Sequence, residues 1–138
     1  MEPGVSFTKL DFDAGERFLR LRDTLGVESF GLNQLVLEPG QGSRIHRHER
    51  QEEVYVVLEG TLTLEYDGER HELGEGDVAR VAPDVKRRLS NRTDRRVALL
   101  AMGGAIPHVG RDGIAYLDWE DAEGRKPADV PLAENLGD

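Results

Sequence analysis

Two histidines stand two positions apart, His46 and His48, and the acidic pair Glu52-Glu53 follows within five residues. In an extended strand, positions two apart point to the same side. Both imidazoles therefore face one space. A hairpin between this strand and the next is expected to bring one of the two carboxylates beside them. Two His and one carboxylate on one face can hold a divalent transition metal and leave coordination positions open. The chain has no cysteine, which removes thiolate ligands, thiolate nucleophiles and any disulfide framework. Zn, Fe, Mn, Ni and Cu all suit the remaining donors.

The elements that must position these groups are short strands. Ser29 to Leu37 is apolar-rich and ends at the turn signal Pro39-Gly40. Val54 to Leu58 has the β-branched and aromatic content of a strand, and Gly60 closes it. Thr61 to Tyr66 alternates, with Leu62, Leu64 and Tyr66 on one face. Asp67-Gly68 then signals a tight hairpin returning through Glu69 to Leu73. Val78 to Val81, Val85 to Ser90 and Val97 to Met102 complete the strand set. Glu16 to Leu25 fits a short helix and a strand equally badly. Many short strands with Gly-rich turns indicate an all-β sandwich or barrel. Val54 to Leu58 is apolar on both faces, where a half-exposed strand would alternate. Its second face needs a cover, either the N-terminal strand or a second subunit, so a homodimer is expected.

Taken together, the spacing carries more than a lone His-x-His. Gly40, five residues, His46, one residue, His48, four residues, Glu53, six residues, Gly60 resembles the first motif of the cupin superfamily at every position. Gly76 to Asn91 resembles the second motif less completely. Gly76 and Asn91 match, Ala82-Pro83-Asp84 stands where Pro-x-Gly is expected, and Arg87 stands where the family places a histidine. The resemblance covers roughly residues 29–102. It implies a double-stranded β-helix, a jelly-roll barrel whose interior holds a metal in many members. The organisation expected is an N-terminal strand or arm over 1–28, the barrel over 29–117 and an acidic tail over 118–138.

The resemblance implies three His and one Glu as metal ligands, and here His46, His48 and Glu53 remain. Two arrangements follow. In one, the three ligands still hold a metal, and Arg87 turns aside or grips an anionic substrate beside it. In the other, Arg87 pairs with Glu53 and takes the place of the metal, since two like charges ~4 Å apart in a partly buried site repel by a few kcal/mol. Tyr55 shares a strand face with Glu53 and joins Arg87 as a candidate ligand contact. His71, His108 and Glu52 match no motif position and read as surface groups. Arg44, Arg47, Arg50 and Arg88 flank the motif and read as ordinary exposed arginines. Trp119 reads as an anchor for the tail.

Composition narrows the function further. Of 138 residues, 18 are Lys or Arg and 27 are Asp or Glu, a net charge of −9. That balance argues against general nucleic-acid binding, which needs a basic face. No apolar run approaches the ~20 residues that span a bilayer, and the first ten residues show no basic-then-apolar leader. A cytoplasmic location is expected. Residues 118–138 hold seven acids against two basic residues and are expected to be poorly ordered or to lie over the barrel. The functional expectation is a barrel that binds a small, anionic ligand with a divalent metal site. The alternative is a metal-dependent enzyme of dioxygenase or isomerase type, in which Arg87 orients a substrate carboxylate and Tyr55 supplies a proton.

Overall fold

A computed structural model describes residues 4–105 and 112–137. Two antiparallel five-stranded sheets face each other. The first runs β1 (Phe18–Arg20), β2 (Gly31–Leu37), β9 (Val97–Gly104), β4 (Glu52–Glu59), β7 (Val78–Val81). The second runs β10 (Gly113–Tyr116), β3 (Ile45–His48), β8 (Arg87–Ser90), β5 (Leu62–Tyr66), β6 (Glu69–Leu73). The strand pattern indicated a sandwich or barrel, and this is the jelly-roll barrel that the resemblance implied. Glu16 to Leu25 divides between the two alternatives, β1 and then the one-turn helix α1 (Leu21–Leu25). Among the described residues no helix is long and apolar enough to cross a membrane.

Register decides what lies inside. Across the first sheet the inward rows are Leu37–Val97, then Leu35–Leu99–Val57, then Asn33–Ala101–Tyr55–Ala79, then Gly31–Gly103–Glu53–Val81. Leu62, Leu64 and Leu89 come from the second sheet to meet the lower rows, and they close a buried apolar core with Leu35, Tyr55, Val57 and Leu99. The uppermost row has two glycines where the others have side chains. The barrel therefore packs solidly at one end and opens at the other, above Glu53.

The turn chemistry explains the motif glycines. Asp67 and Gly68 both take positive φ, 53° and 73°, and carry the β5–β6 hairpin with Tyr66 opposite Glu69. Gly60 sits at φ 79° with the Arg96 carbonyl where a Cβ would be, so only glycine fits this close approach. Asn91 is structural: fully buried, it donates from Nδ2 to the Leu37 and Arg95 carbonyls and accepts the Thr93 amide.

Outward, β4 shows Val54 and Val56, both half-buried, with Met102, Leu100 and Val78 beside them in register. The N-terminal strand does not cover them. β1 pairs with β2 at the far edge, two strands from β4. The acidic stretch after Asp118 lies over the barrel: Gly42 N–H donates to Ala133, Leu136 N–H to Gly40, and Arg17 pairs with Glu134 at 2.5 Å.

Candidate metal and ligand site

His46 and His48 sit on β3, pointing inward from the second sheet, while Glu53 sits on β4 of the first. The carboxylate thus reaches the imidazoles across the barrel. The expected β3–β4 hairpin is replaced by a corner at Glu49–Gln51 where the chain changes sheet. Local sequence pattern cannot distinguish these two routes, since both reverse the chain within three residues. His46 faces Arg87 on β8 and Ala115 on β10, and His48 faces Gly113. Small residues beside the imidazoles leave them room.

His46, His48 and Glu53 each offer one donor atom, and the three atoms lie within 4.8 Å of one another. Glu53 Oε1 is 3.3 Å from His48 Nε2 and 3.6 Å from His46 Nε2. The other ring nitrogens are committed. His46 Nδ1 lies 2.8 Å from the Arg44 carbonyl and His48 Nδ1 lies 2.8 Å from Asp112 Oδ1. A carbonyl or an ionised carboxylate can only accept, so both Nδ1 atoms carry the proton. The Nε2 lone pairs then face a carboxylate oxygen, an arrangement that a cation or an added proton must bridge. Outer partners of this kind orient metal-binding imidazoles.

Asp112 was not foreseen as a site residue. Besides His48 it accepts the backbone N–H groups of Arg50 and Gln51 at 2.6 and 2.8 Å and the Gln51 side-chain amide at 2.8 Å. It ties the β3–β4 corner to the start of β10. Burial raises its pKa, but these donors and His48 outweigh that, and the pKa falls below the ordinary Asp value. In sequence it is one acid before a glycine, with no periodicity to single it out.

Arg87 is 0% exposed. Its Nη2 donates to Glu53 Oε1 at 2.5 Å, its Nε to Tyr55 Oη at 3.3 Å, and its Nη1 to the Val85 carbonyl at 2.9 Å. Tyr55, itself buried, donates to the same Glu53 oxygen at 2.5 Å. Arg87 and Tyr55, read from sequence as ligand contacts, thus spend these donors on Glu53 and on backbone. The pairing geometry expected of an arginine that replaces the metal coexists with the convergent donors expected of a metal site.

The charges follow from these contacts. Burial alone would raise the Glu53 pKa, but the two imidazoles beside it outweigh that and hold it well below the ordinary range. Burial opposes a charge on His48, yet Glu53 and Asp112 outweigh it and its pKa rises above the ordinary His value. Burial, with the Glu53 charge, pushes the Tyr55 hydroxyl well above the ordinary phenol value. An ion entering here would displace a proton from between His48 and Glu53, so its binding releases a proton. The three donors fit a borderline metal of imidazole–carboxylate preference. The fourth corner, a guanidinium with no lone pair, does not.

The remaining candidates lie elsewhere. Glu52 points outward to Arg80 at 2.8 Å. Arg47 donates to Tyr116, Arg44 to the Val130 carbonyl, and Arg88 to Glu65 on the outer face of the second sheet. His71 stacks on Tyr66 with ring centroids 4.8 Å apart. The Arg88 guanidinium lies over Trp119, and Lys86 donates to the Trp119 carbonyl, which anchors the tail there. His108 lies outside the described residues.

A jelly-roll barrel with two imidazoles and a carboxylate converging near its open end defines the class. The cupin domain family matches residues 33–103, and the chain belongs to that family. It is 38% identical over 82 residues, 59% of this chain and 70% of the relative, to a Mycobacterium tuberculosis protein named as a beta-D-galactosidase. A solved cupin-superfamily structure from Silicibacter pomeroyi, described as a sugar phosphate isomerase, is 32% identical with a TM-score of 0.62. That match covers 83% of this chain and 78% of the other. A cupin protein from Bacteroides fragilis is 28% identical with a TM-score of 0.66, covering 76% of this chain and 86% of the other.

Proposed function

We propose that this chain binds a small, anionic ligand at the open end of the barrel, at a divalent cation held by His46, His48 and Glu53. One observation carries the reading. Both Nε2 lone pairs and the Glu53 carboxylate converge while both Nδ1 protons are spent on other acceptors. When bound, the ion would act as a Lewis acid toward a ligand oxygen. Glu53 stays ionised, Tyr55 stays protonated and donates to it, and Asp112 keeps His48 turned toward the site. Arg87 neutralises Glu53, so the site attracts cations less than a three-His, one-Glu set would. A ligand anion would restore the missing negative charge.

A second reading, catalysis of isomerase type on a sugar phosphate, is supported by the name of the Silicibacter relative and the length of that match. Two measurements separate the readings. Metal content per chain, after purification without chelator and after adding Mn2+ or Zn2+, is expected to approach one equivalent and to fall in His46→Ala. A value near zero after loading would mean Arg87 has replaced the metal. The loaded protein is then incubated with an aldose phosphate and followed by NMR. Interconversion that His46→Ala abolishes makes the chain an enzyme. Its absence, with the ligand still bound, leaves a binding protein.

A further inference from the structure

The open end of the barrel forms a cavity of about 220 Å³ that His48 and Glu53 share with Asn33, Gln51 and two arginines of the N-terminal segment, Arg20 and Arg22. The space exists because the inward row that holds Glu53 has glycines, Gly31 and Gly103, beside it. Near 30 Å³ per water, it accommodates about seven waters, or a molecule of roughly ten heavy atoms.

Register places the first arginine. β1 pairs with β2 so that Arg20 stands opposite Asn33. Opposed residues of an antiparallel pair share a face, and Asn33 belongs to the inward row of Ala101 and Tyr55. Arg20 therefore overhangs the cavity from the sheet edge. Its side chain is 60% exposed, and its acidic neighbour Asp23 is 3.6 Å away and as exposed, a pairing worth little in water. Arg22 is held differently: its Nε donates to the Val27 carbonyl at 2.9 Å, fixing the guanidinium where α1 ends. Within the site Glu53 is already neutralised by Arg87. Asp23 also lines the cavity and offsets one of the two arginines, so the mouth keeps a single net positive charge in a chain whose net charge is −9.

We infer that Arg20 is the contact for the anionic end of the ligand, a carboxylate or phosphate, while the other end reaches His48 and Glu53. The assignment rests on the reading of the barrel mouth as a ligand site, and it moves the anion contact from the buried Arg87 to an exposed arginine whose pairing with Asp23 is solvent-screened. A guanidinium meets either anion with two parallel N–H donors.

The test uses the full chain stripped of metal with a chelator. Inorganic phosphate and, separately, acetate are titrated while the arginine Nε–Hε and backbone amide resonances are followed by NMR. Phosphate or acetate is expected to bind with shifts centred on Arg20, Asn33 and Gln51. Arg20→Gln is expected to weaken it about tenfold, the loss of a charge-assisted contact. Arg80→Gln, which removes the same charge from the outward face of the same sheet, is expected to leave it unchanged. Absence of binding by the wild type, equal affinity in Arg20→Gln, or equal weakening by Arg80→Gln overturns the inference. Mn2+ binding is measured on the same samples. Arg20→Gln is expected to keep wild-type Mn2+ affinity, and His46→Ala to lose Mn2+ while keeping the anion. A wild type that takes the anion through Arg20 but no Mn2+ refutes the metal reading and upholds the subsite.

Discussion

Removing the positive charge of Arg87 should tighten metal binding, and the size of the effect can be worked from the structure. Arg87 Nη2 is 2.5 Å from Glu53 Oε1. An ion bonded to that oxygen at about 2.1 Å lies no more than ~4.6 Å from the guanidinium nitrogen. A double positive charge at that separation is repelled by ~1.8 kcal/mol at the dielectric constant of water and by ~7 kcal/mol at an effective value of about 20. Even the smaller figure is about twentyfold in affinity. Arg87→Met, which adds no ligand, is therefore expected to gain at least about twentyfold for Zn2+ or Mn2+ by calorimetry with chelator competition. Arg87→His should gain more, because it restores the fourth donor. Both variants lose a partner of the buried Glu53, and breaking such a pair costs ~3–5 kcal/mol. The metal-free variants should thus melt lower than the wild type and recover on metal addition, by the usual linkage. Folded Arg87→Met with an affinity within about threefold of the wild type, ~0.6 kcal/mol, would refute the electrostatic argument.

Three further outcomes are expected. Asp112→Asn should weaken metal binding about tenfold, as loss of a partner that orients a ligand does, read from the same titrations. Glu65 accepts from Ser90 at 2.8 Å, Arg92 at 2.9 Å and Arg88 at 3.1 Å; burial raises its pKa, but these donors outweigh that and lower it. Its contribution to stability is therefore complete above the ordinary Glu value and lost as pH falls through the lower folded value, so melting temperature scanned downward from neutral pH should drop less across that window in Glu65→Gln than in wild type. Light scattering should find a dimer that Val56→Glu dissociates, since the outward apolar row Leu100–Val56–Val78 has no cover from β1; a monomeric wild type refutes this.

Much of the barrel was legible because its signals are local. Residues 69–73 and 78–81 form strands with the bounds that alternation and turn residues indicated. Asp67-Gly68 forms the expected turn. That His46 and His48 share one face follows from period two alone, and that this face is the interior follows from the motif resemblance. What was hidden depends on long-range pairing. β10 is four residues, Gly-Ile-Ala-Tyr, stabilised by β3 much earlier in the chain. Asp112, just before it, gains its role only through that docking. Arg20 and Arg22 fall in a segment whose period fits neither helix nor strand, because it is three residues of one followed by five of the other. The sheet change between β3 and β4 also lies beyond a pattern reading. Alternation records which side is apolar, and it does not record which sheet a strand joins.

The pairing order bears on how the chain reaches its fold. β2 finds its central partner in β9, and β3 one of its partners in β10, so two early strands stay unpaired on that side until the last ones exist. Among the described residues, the β5–β6 hairpin and the β1–β2 pair are the pairings between strands consecutive in the chain. High contact order of this kind slows folding, and unpaired strand edges in a partly made chain invite association with other chains. During synthesis, the apolar run Val54 to Leu58 emerges well before β9, its partner. Expression at low temperature or with a holding chaperone should therefore raise the yield of soluble protein more than changes to the finished surface.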